Sequence, residues 1–92
     1  MTVTVNYTTQ VKAALGVASE TVQLDEACTV AELIQRLANE HGETFRSLVL
    51  DAQGRLLPSI LLSRDSDQIN FDDPVKLADG QELTILSAIS GG

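Results

Sequence analysis

Residues 2–7, Thr2-Val3-Thr4-Val5-Asn6-Tyr7, alternate strictly. The period of two predicts a half-buried strand with Val3, Val5 and Tyr7 inward. Thr21-Val22-Gln23-Leu24-Asp25 alternates again, with Val22 and Leu24 inward, and the two strands predict a first hairpin. Its connection is elaborate. Val11, Ala14 and Leu15 fit a helical turn, which Gly16 is placed to end.

The period then changes. Val30, Leu33, Ile34, Leu37 and Ala38 recur at helical spacing and make one apolar stripe. Thr29 and Glu32 form a T-x-x-E capping box, in which hydroxyl and carboxylate each satisfy an orphan backbone N–H. Cys28, just before the cap, is spaced to staple onto Leu33. Gly42 is placed to cap the helix C-terminus.

After Gly42 the pattern weakens. Phe45, Leu48, Val49 and Leu50 are expected in the core, on a short turn and strand. Asp51-Ala52-Gln53-Gly54 reads as a turn, Ile60-Leu61-Leu62 as a strand, and Asp65-Ser66-Asp67 as another turn. Asp72-Asp73-Pro74 opens a loop, Asp79-Gly80 is a turn signal, and residues 82–89 read as the last strand. Leu83, Ile85 and Ile89 share one face of it; Thr84, Leu86 and Ala88 share the other. The order is strand, strand, helix, strand, strand, strand. One helix packed on one face of a mixed sheet gives a two-layer α+β domain over residues 1–92, with 87–92 as the end of the last strand and a tail.

Composition narrows the chemistry. Aromatics are only 3%, so an aliphatic core is expected. Thirteen acids against six bases give a net charge of −7, and the bases are scattered. That charge repels a phosphate backbone, so nucleic acid is not expected as a partner. It fits a partner with a basic docking face, or serves solubility alone. No signal peptide and no apolar run near membrane-spanning length are seen, so the expected location is cytoplasmic, with no membrane partner.

No enzymatic constellation emerges. Cys28 is the single cysteine and His41 the single histidine, too few for a zinc site. Cys28 reads as a small packing residue. His41 reads as a surface residue in the last helical turn, well placed against the helix dipole. Asp65 and Asp67 lack the EF-hand pattern and read as solvated loop acids. No P-loop, G-x-G-x-x-G or triad is present, so no catalytic residue, metal or tightly bound cofactor is expected.

The remaining feature is the ending. After the last strand come Ser90, Gly91 and Gly92, and residues 87–92 carry no charged side chain. Glycine backbone can enter a narrow channel, so Gly91-Gly92 can present a carboxylate inside another protein's active site. A carboxylate acylates only after activation, for which ATP-dependent adenylation is the usual route. A partner must supply the ATP site.

From Leu77-Ala78-Asp79-Gly80-Gln81 through Ile89-Ser90-Gly91-Gly92, with the order of elements, the chain resembles the sulfur-carrier branch of the ubiquitin-like superfamily. That branch includes molybdopterin synthase small subunits, thiamine-pathway carriers and carriers for cysteine synthesis. Gln10-Val11-Lys12-Ala13-Ala14-Leu15-Gly16 also resembles the helical turn of molybdopterin-synthase small subunits. Ser87 stands where many members carry proline, and the tail lacks the arginines of ubiquitin's last segment.

The resemblance implies a β-grasp fold and a carrier, not an enzyme. An E1-like adenylyltransferase would use ATP to adenylate Gly92. A sulfur donor would form the thiocarboxylate, and a client synthase subunit would consume the sulfur. Molybdopterin synthesis ranks first, with thiamine or cysteine synthesis close behind. Ser90 and Gly91 would thread into the partner, and Leu86 and Ala88 are candidates for docking. Two alternatives stay open: a protein modifier conjugated through Gly92, and a non-covalent interaction domain.

Overall fold

A computed structural model describes residues 1–87. The elements are β1 (Thr2–Tyr7), α1 (Thr9–Leu15), β2 (Ser19–Gln23), α2 (Val30–His41), α3 (Glu43–Val49), β3 (Ile60–Arg64), β4 (Asp67–Ile69) and β5 (Glu82–Ser87). The five strands form one sheet in the order β2-β1-β5-β3-β4. β1 and β5 run parallel; the other pairs are antiparallel. This is a β-grasp fold.

The alternation in β1 is realised as read. Val3, Val5 and Tyr7 are buried, while Thr2, Thr4 and Asn6 lie on the other face. In α2 the capping box forms: Glu32 N–H donates to Thr29 Oγ1 at 3.2 Å, and Thr29 N–H donates to Glu32 Oε1 at 2.8 Å. Those bonds hold the Glu32 carboxyl below its ordinary value, the backbone bond contributing most. Leu33, Ile34 and Leu37 are fully buried in the same core as Val5, Leu83 and Ile85. A buried Leu or Ile side chain contributes about 1.5–3 kcal/mol, so this stripe is what holds α2 on the sheet. Gly42, at φ 75°, closes α2 by donating its N–H to Ala38 O at 2.9 Å.

Three expectations need correction. Residues 43–49 form a helix, not a turn and strand. Phe45 and Val49, both fully buried, are four apart and so share one helical face. Leu50 makes only an isolated bridge to Leu56. Next, Asp67 belongs to a strand and not to a turn: Asp65-Ser66 is a two-residue connection, after which β4 pairs back on β3. Three residues are too few to show alternation. Finally, β2 begins and ends two residues earlier than expected, leaving buried Leu24 just beyond it.

Candidate functional site

β5 lies inside the sheet, between β1 and β3. Its entry is tied on both sides. On the β3 side, Asp65 N–H donates to Glu82 O at 2.8 Å and Glu82 N–H donates to Asp65 Oδ1 at 3.0 Å. Gln81 Nε2 donates to Asp65 Oδ2 at 3.3 Å. On the β1 side, Thr2 N–H donates to Asp79 Oδ1 at 2.7 Å and Gly80 N–H donates to Thr2 O at 2.8 Å. Gly80 sits at φ 85°, a region that a Cβ disfavours. The Asp79-Gly80 pair thus turns the chain and docks it on β1. Asp65, at φ 55°, is a residue type that tolerates this conformation.

At the exit, Leu86 faces away from the helices and stands directly opposite Leu61 of β3. These two side chains, 36% and 41% exposed, form an apolar pair on the open face. The outward positions next to them are short and uncharged, Ser63 of β3, Thr84 of β5 and Asn6 of β1, and Thr4 and Thr2 continue that row toward the entry. Among the outward strand positions described, Glu82 carries the one charge, in a chain where 21% of residues are charged. The other acids lie in loops and helices or, as with Glu20 of β2 and Asp67 of β4, at inward strand positions. The open face can accept an apolar or neutral surface without stranding buried charge.

Leu86 was legible as outward-facing; Leu61 was missed. Its signal was present, because three apolar residues in a row, Ile60-Leu61-Leu62, must turn one of them to the open face. Ala88, Ser90, Gly91 and Gly92, with Ile89 of the expected strand, lie outside the described residues. Leu86 is consequently the predicted site residue that the structure places.

His41 is not simply a surface residue on a helix end. Its ring is half-buried between Tyr7 and Phe45, and Nε2 lies 2.7 Å from Glu20 Oε2. Tyr7 O–H donates to the same oxygen at 2.7 Å. Burial, followed by this bond to Glu20, pushes the Tyr7 phenol well above its ordinary value. Glu20 stands opposite Val5, so β2 turns it toward the helices. It ties β1, β2 and the end of α2 together, a structural role that no sequence pattern announced.

Cys28 packs against the core as a partly buried side chain. Burial and then Glu32 push its thiol up, against weaker opposing effects of Arg36 and Lys76. A raised thiol is a poor source of thiolate nucleophile. Among the described residues, no three His, Cys, Asp or Glu side chains gather as a metal site, and no helix is long and apolar enough to cross a membrane.

Comparison with known proteins agrees with this architecture. SAMP1 from Haloferax volcanii superposes with a TM-score of 0.87 at 22% identity, covering 100% of both chains. A putative molybdopterin converting factor, subunit 1, from Pyrococcus furiosus gives 0.75 at 22%, covering 97% of this chain and 99% of that one. A chain of the Amycolatopsis orientalis BexX/CysO complex gives 0.72 at 24%, covering 98% and 99%. At these identities the likeness carries the fold. No curated protein matches the sequence. The model of the ThiS family matches residues 5–92, nearly the whole sequence, and the chain belongs to the ThiS family.

Proposed function

We propose that the chain is a sulfur carrier that acts with partner enzymes through its C-terminal Gly92. The observation that supports this reading is the strand that leads to the tail. Five residues after the last described residue of an interior, firmly anchored strand, the sequence reaches Gly92, and beside that exit lies the exposed Leu61–Leu86 pair. The open face docks on a partner, with Leu86 and Ala88 in the contact, while Ser90 and Gly91 pass into its active site. There an E1-like adenylyltransferase activates the carboxylate. A carboxylate oxygen attacks the α-phosphorus of ATP, and pyrophosphate leaves. A sulfur nucleophile from a donor then displaces AMP and leaves a thiocarboxylate. A client synthase takes the sulfur, and hydrolysis returns the carboxylate. This chain needs to supply only the acyl group and the docking face.

The segment 10–16 and the likeness to a putative molybdopterin converting factor favour molybdopterin synthesis as the client pathway. A second reading, conjugation of Gly92 to protein amines, is favoured by the likeness to a small archaeal modifier protein. Intact mass after incubation with ATP, sulfide and an active E1-like enzyme tests both. One oxygen-to-sulfur exchange, lost when Gly91-Gly92 is deleted, is the carrier's expected result. No exchange, with conjugates on lysines of other proteins instead, would replace the carrier reading by the modifier.

A further inference from the structure

Thr8 precedes α1 as its N-cap residue, and threonine there ordinarily accepts a hydrogen bond from its own helix. Here it makes no such cap. Its hydroxyl turns to the sheet instead, donating to Ile85 O at 2.9 Å and lying 3.4 Å from the Ser87 N–H, for which it is the acceptor.

The ladder explains this geometry. In a parallel pair, every second residue of one strand bridges two residues of its neighbour, through its N–H and its C=O. Thr4 does so at the entry, donating its N–H to Gln81 O at 3.0 Å. Two-residue steps along the register pass this role to Asn6 and then to Thr8, whose rung is Ile85 and Ser87. The Thr8 backbone is no longer free to complete that rung. Its carbonyl accepts the Lys12 N–H at 3.3 Å as α1 begins. Thr9 turns the chain off the sheet at φ 43°, a strained value for a β-branched residue. The hydroxyl, both donor and acceptor, occupies the place of the missing N–H and C=O.

We infer that Thr8 is a positioning residue whose side chain holds Ser87 in the sheet and so fixes the point from which the tail is presented. The helix forgoes its cap to do this. The inference deepens the carrier reading and rests on it for its consequence in catalysis, although the latch itself does not. Thr8→Val removes the hydroxyl at nearly constant shape, and Thr8→Ser keeps it.

Amide hydrogen exchange of the isolated chain is measured first. Loss of one net hydrogen bond corresponds to about three- to tenfold faster exchange at Ser87 in the valine variant, with Gln10 and Val11 of α1 unchanged. The serine variant restores protection. Adenylation by an E1-like partner follows. The valine variant is expected to raise KM for the chain by about three- to tenfold with kcat retained, since the tail starts from a less defined origin. Unchanged exchange at Ser87 overturns the latch. Faster exchange with an unchanged KM overturns its positioning role. If the wild-type chain is not adenylated at all, the carrier reading falls, and the exchange arm alone then upholds or overturns the latch.

Discussion

Where β5 begins, at Glu82, backbone and carboxylate bonds grip it from both neighbours. Asp65 closes two bonds on Glu82, and Asp79 and Gly80 dock the preceding turn on Thr2. Where it ends, at Ser87, the hold on the β1 side is a single hydroxyl, and the nearby open face carries the exposed Leu61–Leu86 pair. The same strand is thus tightly held at its entry and bordered by exposed apolar surface at its exit. Both ends share one inward row, Leu83, Ile85 and Ser87, the first two fully buried. Anchoring the entry allows the exit to be uncovered without loosening the fold, and residues at the two ends should respond differently to mutation.

The largest expected effect is at the entry end of the buried row. Leu83→Ala should cost about 2–5 kcal/mol in denaturant unfolding, from lost transfer energy and the cavity left behind. A loss below this range would mean the entry is not packed as tightly as its burial implies. Asp65→Ala should cost about 2 kcal/mol, since it removes a carboxylate acceptor from Glu82 and puts alanine at a positive φ. If Asp65→Asn is equally damaging, the negative charge matters and not the acceptor geometry, which would change the account of the entry. A third substitution serves as a reference away from both ends. Thr29→Ala removes the α2 cap and should cost about 1 kcal/mol near neutral pH. Glu32 is depressed in the folded chain, so its contribution is present above its unfolded value and is lost as pH falls through the folded one. Acid unfolding curves of the wild type and of Glu32→Gln should therefore converge as Glu32 protonates, while Thr29→Ala, which keeps the residue-29 N–H and loses only the hydroxyl acceptor, stays offset from the wild type. A Glu32→Gln curve that runs parallel to the wild type down to low pH would detach the Glu32 charge from the cap.

How much of this was legible in the sequence depended on segment length and on where the partners lie in the chain. β1 and α2 span six and twelve residues with unmixed periodicity, and both were readable with their inward faces. The cap of α2 was readable too, because its partners are three residues apart. α3 was not: at seven residues it shows Phe45 and Val49 once each, too little repetition to separate a helical face from a short strand. β4 was hidden for the same reason at three residues. At the exit, Leu86 could be placed by parity alone. The run Ile60-Leu61-Leu62 showed that an apolar residue must face outward, but that Leu61 stands beside Leu86 and doubles the apolar surface there required the β3–β5 register, and register across a gap of more than twenty residues is not written in either segment alone. The Thr8 hydroxyl bond was equally invisible. Local rules make that threonine a helix cap, and only its distant partner, Ile85, shows otherwise.

The smallest effect on stability is expected at Leu86, and it is also the one that separates the two ends most sharply. Its side chain lies on the open face, 36% exposed, so Leu86→Ala should shift unfolding by no more than about 0.5 kcal/mol. Substitution of Leu61 should behave alike. If the open face docks on a partner, the same change removes an apolar anchor from a desolvated contact. Binding to an E1-like or client subunit should then weaken by about 1–2 kcal/mol, read by calorimetry with a rise in KM for the chain. The pair also predicts non-additivity. Leu61 and Leu86 are directly opposite, so the double variant should weaken binding by less than the sum of the single changes, because the first truncation already removes their shared surface. Additive losses would mean that the two leucines meet separate parts of the partner. Intact binding in the double variant, with a stable fold, would move the docking surface off the open sheet altogether. The tail would then be presented by a strand whose neighbouring face has no part in recognition.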